Sequence, residues 1–533
     1  MPLEKLRKLA LSATILAPIV AGGLVPSGAY AAQQPNPGPS VLRVAVHAGL
    51  DTLDPIASTA YIDRTHGYLV YDTLFAMNNN FQPEPQMVDH WTVSPDQKTW
   101  TFVLRDGLKW SDGTNVTAAD CVASLVRWGK RDGMGQLLFA DISSLTAPDD
   151  KTIVMRLKAP DDMVLASLAK LSSNVPFMMP ARIADTSAFK NITDPTGSGP
   201  YMMVLKDWVP GKKAVYVKNP YYKPRSDPSS LAAGAKIAAA DKIELIHYAD
   251  PEAAAKALIS GYVQYDESPP MSVVPMLEAD PNLIVEPTAP PGSVGMLRFN
   301  AAIPPFNNPA IRRAVLEAIN QTTYMEAAFG NDPRWWRTCY SIFPCGTTYA
   351  TDAGNWIMKL SNPAAARYAL EKAGYNGTPV VVLDPVDIPV LADFTNVTVN
   401  LLTNLGMKVT VERMSWEEML QRRANRSAVN GWNVFDTWWI ADDIATPQAI
   451  AYSGDPKTGW AGWPNDPKLE ADRTAFLDAT SLAAQQAKAA QVQEDVLNDA
   501  TVGILGQFFE PIAFNKNLTG LTTPVQFFWG LRP

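Results

Sequence analysis

Two adjacent carboxylates, Asp442 and Asp443, directly follow an apolar run and are the side chains whose placement most suggests chemistry. The run ends in Trp438, Trp439 and Ile440, which predicts the end of a buried strand. Ligands of α/β sheets bind outside the carboxyl ends of the strands, so a charged anchor for a solute would lie here. A Trp pair in the core, followed by a solvated Asp turn, explains the same residues without any ligand.

Motifs of enzymes are missing from the sequence. It contains no G-x-S-x-G, no P-loop and no G-x-G-x-x-G, and no acid/base pair can be chosen among its 53 acidic residues. We therefore expect no catalytic residue, no cofactor and no metal site. The histidines are scattered without metal-ligand spacing: His47, His66, His90 and His247.

The first 31 residues predict a cleavable signal peptide. Basic residues precede a largely apolar run over residues 9–25, and the small residues of a cleavage site follow at 29–31. Prolines and glycines interrupt the run, which disfavours a retained membrane anchor. No cysteine directly follows it at the position where a lipid would be attached, so we expect a periplasmic protein that is not a lipoprotein. Residues 32–40 predict a disordered leader.

The three cysteines fit an exported protein. Cys339 and Cys345 flank five residues of a turn-rich loop, and in an oxidising compartment we expect a disulfide between them. Zinc would need two further soft ligands nearby, and none follows in the sequence. Cys121 falls on the apolar side of a predicted helix, which indicates a buried, inert thiol.

Length and charge narrow the class of partner. A chain of 533 residues is long enough for two or three domains. Its formal net charge of −8 argues against nucleic acid and against an anionic membrane surface as partners.

Several short runs together resemble one protein family. Residues 110–120, W-S-D-G-T-N-V-T-A-A-D, lie between a predicted strand and a predicted helix, and they are similar to the signature of the family 5 extracellular solute-binding proteins. Cys121 stands where that family has an apolar residue. These proteins are the dipeptide- and oligopeptide-binding receptors of ABC importers. Further family-like runs are L-D-P at 53–55, G-S-G-P-Y at 197–201, N-P-Y-Y at 219–222, R-F-N with P-P-F at 298–306, and A-R-Y-A-L-E-K-A-G-Y at 366–375.

The resemblance implies a fold, and the alternation of helices and strands beyond about residue 300 agrees with it. We expect an α/β, two-lobed periplasmic-binding-protein clamshell with an additional inserted subdomain in the first lobe. Lobe one would comprise residues 41–74, 195–298 and a C-terminal tail at 506–533. The inserted subdomain would cover residues 75–194, and lobe two residues 299–505.

The resemblance also implies which residues bind the ligand. In peptide-binding members a carboxylate at the position of Asp442 pairs with the peptide α-ammonium, and the strand before it hydrogen-bonds the peptide backbone. The segment after L-D-P matches a strand of the opposite lobe. Asp443 departs from the family and favours a more cationic ligand, or is a turn residue. The expected ligand-binding residues are Asp442, Trp439, Trp438, Ile440, Asp443, Thr59, Ala60 and Tyr61.

The expected function is that of a monomeric periplasmic substrate-binding protein. It would capture a small solute, with a short peptide favoured, by closing its lobes, and deliver it to an inner-membrane ABC permease. Three alternatives stay open: the same class with a nickel complex, haem, an opine or an oligosaccharide as solute; a secreted hydrolase; and a chaperone-like peptide binder without a transporter.

Overall fold

The computed structural model describes residues 40–479, 481–522 and 525–533, so the predicted signal peptide and nearly all of the predicted leader lie outside the described residues. The strands are β1 (Val41–Val46), β2 (Asp72–Thr73), β3 (Phe75–Met77), β4 (Pro83–Pro85), β5 (Val88–Val93), β6 (Thr99–Leu104), β7 (Ile142–Thr146), β8 (Thr152–Leu157), β9 (Phe177–Met178), β10 (Tyr201–Met203), β11 (Lys213–Lys218), β12 (Lys242–His247), β13 (Tyr265–Asp266), β14 (Leu283–Pro287), β15 (Ser293–Phe299), β16 (Trp336–Arg337), β17 (Val380–Pro385), β18 (Val409–Met414), β19 (Val434–Ile440), β20 (Val502–Phe508) and β21 (Pro511–Asn515).

The helices alternate with these strands. They are α1 (Tyr61–Val70), α2 (Ala118–Trp128), α3 (Gly133–Asp141), α4 (Val164–Leu168), α5 (Ala181–Ala184), α6 (Pro251–Ile259), α7 (Val274–Glu278), α8 (Pro309–Leu316), α9 (Gln321–Phe329), α10 (Trp356–Lys359), α11 (Pro363–Lys372), α12 (Pro389–Asn404), α13 (Trp416–Arg423), α14 (Pro467–Leu477) and α15 (Leu482–Asp499).

One large sheet joins the first part of the described chain to its last part. Its strand order is β10-β11-β12-β1-β13-β21-β14. Strand β1 runs parallel to β12 and β13, with Val41 opposite Lys242, and β21 lies antiparallel between β13 and β14. Leu42, Val44 and Val46 of β1 are buried, so this sheet forms part of the core of the first lobe.

The second large sheet has the order β16-β20-β15-β19-β17-β18. Strand β15 is buried along its whole length and runs antiparallel to both β19 and β20, so that Ser293 lies opposite Ile440 and Phe508. Helix α12 packs on β17 and β19, and α9 packs on β20. Strands covered on both sides bury their side chains irrespective of alternation, which is why β19 is buried from Val434 to Trp439, including the polar Asp436 and Thr437.

A smaller antiparallel sheet, β5-β6-β8-β7, packs with α2 around a separate apolar core. The family-like run at 110–120 leads into α2. Its Thr117 accepts the N–H of Asp120 at 3.3 Å, and the Asp120 carboxylate accepts the N–H of Thr117 at 2.8 Å. This capping box satisfies two of the helix's free amide groups.

The structure is the expected two-lobed α/β fold, and the chain crosses between the large sheets twice. It leaves the first sheet after β14 and returns before β21, so the crossings lie at 288–292 and 509–510. The sequence places lobe boundaries at 298/299 and 505/506, which lie within β15 and β20 of the second sheet. The R-F-N run lies at the end of β15 and not before its start, so the expected first crossing falls after the observed one. The domain division itself stays a prediction.

Cysteine chemistry follows the expectation. Cys339 and Cys345 are joined by a disulfide, and Cys121 is a buried free thiol whose pKa is raised by burial. Among the residues described, no helix combines the length and apolar character needed to cross a membrane.

Candidate ligand-binding cleft

Strand β19 presents a free edge toward the first lobe. It pairs with β15 over its full length, but with the parallel strand β17 only at Val434 and Phe435. Within the described ranges, the β17 side of residues 436–440 therefore has no strand partner. One group on this edge is engaged across the cleft, since the N–H of Ile440 donates to the hydroxyl of Tyr61 at 2.5 Å.

The segment opposite this edge is not the strand that the sequence led us to expect. Ala60 is extended, with φ −67° and ψ 136°, but Tyr61 is already the first residue of α1. The hydroxyl of Ser58 accepts the N–H of Ala60 at 3.0 Å and donates to the Asp63 carboxylate at 2.7 Å. These bonds turn the chain into the helix, so Thr59 and Ala60 form the turn that precedes it.

The two tryptophans of β19 face opposite sides of the sheet. Trp438 lies toward the cleft, with its ring 6.3 Å from His47, 6.2 Å from Tyr61 and 5.9 Å from Trp416. Trp439 packs edge-on against Trp460 at 5.1 Å. Both indoles are largely buried, so they contribute to the apolar core as well as lining the cleft.

Asp442 and Asp443 form part of a short 3-10 turn, 441–444, directly after β19. In the described part of the chain, one oxygen of Asp442 and both oxygens of Asp443 are enclosed without a hydrogen-bond partner. Burial, and secondly the charge of Asp443, raise the pKa of Asp442 to about 7. Burial also raises the pKa of Asp443, against the opposing charges of Lys170 and Arg64. Neither acid forms an ion pair within the described residues, so a bound cation would find both carboxylates available.

A second charged cluster lies beside them and was missed in the sequence. His47 Nδ1 is 2.7 Å from a Glu267 carboxylate oxygen. Burial alone lowers the pKa of His47, but the charges of Glu267 and Glu510 raise it above the ordinary value. Burial raises the pKa of Glu510 to about 7. The sequence does not reveal this pair, because Glu267 is 220 positions from His47 and no local pattern signals such a contact.

Arg64 is a buried cation beside this group, and the sequence analysis does not identify it. Its guanidinium donates to the hydroxyl of Ser172 at 2.7 Å and lies 4.8 Å from the centre of the Tyr61 ring. Its charge favours the ionised forms of Asp442, Asp443 and Glu267. Its position on the buried α1 could not be inferred from the sequence pattern.

Three adjoining cavities bring the expected residues together. A cavity of about 100 Å³ is lined by Tyr61, Trp438, Ile440 and Asp442 among others. Asp442 and Asp443 line a neighbouring cavity of about 720 Å³. A narrow space of about 20 Å³ is bordered by the remaining expected residues, Thr59, Ala60 and Trp439. The structure thus places all eight residues at the cleft, and their role in binding stays a prediction.

Comparison with known proteins identifies the family. The profile of the bacterial extracellular solute-binding proteins, family 5, middle region, matches residues 82–461. The chain belongs to this family. It is 34% identical over 489 residues, 90% of this chain and 91% of the other, to a protein of Sinorhizobium fredii named as a probable peptide ABC transporter periplasmic-binding protein. It is 26% identical over 456 residues, 84% of this chain and 81% of the other, to a glutathione-binding protein of Escherichia coli.

Solved structures share the fold of this family 5 protein. A periplasmic binding protein of A. tumefaciens R10 in complex with agropinic acid superposes with a TM-score of 0.77 at 22% identity, over 91% of this chain and 96% of the other. A dipeptide-binding protein from Pseudoalteromonas sp. SM9913 in complex with Met-Leu has a TM-score of 0.77 at 16% identity, over 92% and 99%. At these identities the likeness establishes the fold.

Proposed function

We propose that this solute-binding protein is the periplasmic receptor of an ABC importer and that it captures a short peptide between its lobes. The observation that carries the proposal is the free edge of β19, which ends at two carboxylates that form no ion pair within the described residues. The Sinorhizobium relative, with its peptide-transporter name, and the neighbour that holds Met-Leu support the same class of solute.

The free edge suits the main chain of a peptide. An extended peptide that adds to a sheet edge gains main-chain hydrogen bonds irrespective of its side chains. Residues 436–440 offer such an edge, and the Tyr61 hydroxyl already engages the N–H of Ile440 from the opposite lobe. A peptide lying beside β19 would therefore be held by β19 on one side and by the start of α1 on the other.

The carboxylates suit the peptide's α-ammonium group. An ionised Asp442 is costly in the empty cleft, as its raised pKa indicates. A bound ammonium group restores a partner for that charge, so ligand binding favours the ionised acid. We assign the main contact to Asp442, because it borders both the 100 Å³ and the 720 Å³ cavities, whereas Asp443 borders only the latter.

Lobe closure is the proposed mechanism, with no reaction catalysed. Besides the Ile440 to Tyr61 bond, Arg423 donates to Thr59 at 3.2 Å and Gln136 donates to the carbonyl of Thr458 at 3.4 Å. A solute that contacts both sides adds to these bonds only in the closed form, and so shifts the equilibrium toward closure. The closed, monomeric complex would then be presented to the inner-membrane permease.

A matched peptide pair tests the proposal. Trialanine and N-acetyl-trialanine differ in whether they carry the α-ammonium group. Calorimetry should show at least hundredfold weaker binding for the acetylated peptide. Native mass spectrometry of the protein, purified without denaturation, should reveal retained peptides. A retained non-peptide solute, with no heat from either peptide, would refute the peptide proposal. Loss of labelled-peptide uptake on deleting the gene would support the importer, and undiminished uptake would contradict it.

A further inference from the structure

The disulfide loop, residues 339–345, is buried, although loops usually run over the protein surface. Ser341, Ile342 and Phe343 within it are each at most 4% exposed. A buried loop loses free energy wherever one of its backbone N–H or C=O groups lacks a partner. The surrounding protein must therefore supply partners for this loop.

Three buried glutamines supply them. The side chain of Gln321 accepts the N–H of Cys339 and donates to its carbonyl, both at 2.7 Å. Gln493 accepts an N–H in the middle of the loop at 3.0 Å, and Gln507 accepts the N–H of Cys345 at 3.0 Å. None of the three glutamines is more than 1% exposed. The loop is thus held at both ends and in the middle.

Gln507 also connects the disulfide loop to the two crossings between the lobes. Its Nε2 donates to the carbonyl of Pro291, in the first crossing, at 2.6 Å. Gln507 itself lies near the end of β20, shortly before the second crossing. Strand β16, which precedes the loop, pairs with this end of β20, and the N–H of Phe509 donates to the carbonyl of Trp335 at 2.7 Å. The loop is therefore fixed to both segments through which the chain passes between the lobes.

The chain that leaves the disulfide loop forms a wall of the cleft. Residues 345–349, which we call the wall segment, line the 720 Å³ cavity together with Pro291, Asp442 and Asp443. The guanidinium of Arg337 donates to the carbonyl of Cys345 at 2.5 Å and holds the start of this segment. The cavity wall and the crossings thus share one support.

We propose that the disulfide loop is a positioning element of the receptor, which braces both crossings and holds the wall segment in place before a solute arrives. Cys339, Cys345 and Gln507 are its positioning residues. A segment that is ordered in advance loses less conformational freedom on binding. Opening the link would lower the population of the binding-competent form and with it the apparent affinity. The bracing of the crossings stands without any particular solute, whereas the effect on peptide affinity rests on the proposed function.

Hydrogen exchange of the empty protein tests the brace. C339A/C345S removes the disulfide, and Q507M keeps the disulfide but removes the hydrogen bonds of Gln507 at similar side-chain size. In both variants the amides of the crossings and the wall segment should exchange roughly tenfold faster than in the parent. Amides of β6 and α2, which pack around a separate apolar core, should exchange as in the parent. Unchanged exchange at the crossings, or an equal rise in all these regions, would overturn the proposal. Q507M decides the question alone if the double variant does not fold.

Calorimetry with trialanine tests the consequence for binding. Under conditions in which urea unfolding shows the variants to be folded, both should bind trialanine roughly tenfold more weakly, as expected when the competent form falls to about a tenth of the population. Q97M makes the same substitution at an exposed position between β5 and β6 and should bind like the parent. Parent-like affinity in C339A/C345S and Q507M would overturn the proposal. If trialanine binds to neither the parent nor the variants, the peptide proposal fails, and faster exchange at the crossings would still support the brace.

Discussion

Replacing Asp442 with Asn is the sharpest test of the ligand anchor. The substitution keeps the size of the side chain and removes its charge. Removing one partner of a desolvated charge pair costs about 3–5 kcal/mol. We therefore expect the affinity for trialanine to fall by roughly a hundred- to a few-thousandfold. Asp443→Asn is the matched control and should weaken binding less, because Asp443 borders only the larger cavity and is opposed by Lys170.

The same substitution should stabilise the empty protein. The pKa of Asp442 is raised from 3.8 to about 7, so the folded state pays for ionisation at neutral pH. A shift of this size corresponds to about 4 kcal/mol. Because the side chain stays partly open to the cleft, we expect a gain of about 1–2 kcal/mol in the free energy of unfolding of D442N at pH 8.

The sign of the pH dependence follows from the raised pKa. As the pH falls from about 7 toward 3.8, the folded parent binds a proton before the unfolded chain does, so the parent regains stability. The advantage of D442N should therefore shrink as the pH is lowered from 8 to 4. Calorimetry with trialanine and urea unfolding of the empty proteins at several pH values measure both effects. If D442N binds trialanine as tightly as the parent, the anchor is wrong and a non-peptide solute becomes the better interpretation.

Three further predictions follow from other contacts. Thiol counting should find no rapidly reactive thiol in the native protein, because Cys339 and Cys345 form a disulfide and Cys121 is buried. It should find one thiol after denaturation and three after denaturation with reduction. Three thiols before reduction would contradict the pairing. Burial and the charge of Glu417, on the other side of the cleft, raise the pKa of Asp51 to about 6, so the two acids repel each other at neutral pH. Glu417→Gln should therefore tighten trialanine binding roughly two- to fivefold at pH 7.5, and less at pH 5, where Asp51 is largely protonated. An equal ratio of mutant to parent affinity at the two pH values would refute this repulsion. Tyr61→Phe removes the acceptor of the Ile440 N–H and should weaken trialanine binding roughly fivefold. Small-angle scattering should still show a smaller radius of gyration when peptide is added. Unchanged affinity would show that this bond does not favour closure.

Local patterns in the sequence were sufficient for several elements. The apolar run before Asp442 is strand β19, and Thr117 caps α2, because hydrophobic burial and capping act between residues close along the chain. The short loop between Cys339 and Cys345 brings their thiols within bonding reach. The two-lobed fold was reached through family-like runs that are distributed over nearly the whole chain.

The positions at which the chain crosses between the lobes were harder to predict from the sequence. The sequence placed them beside residues 298 and 505, whereas the sheets place them at 288–292 and 509–510. A strand that is buried on both faces, such as β15, shows no alternation that would mark where it begins. The turn before α1 was mistaken for a strand, because hydrogen bonds of Ser58, and not hydrophobic periodicity, start that helix.

The sequence by itself determined the family, the disulfide and the eight residues that border the cleft. Only the tertiary structure decided which charges meet there. His47 and Glu267 directly follow the neighbouring strands β1 and β13, and Arg423 reaches Thr59 over 364 positions. Electrostatic interactions depend on distance in space and on burial, and neither is encoded in any short stretch of chain. The charged clusters of the cleft therefore become visible only in the folded chain.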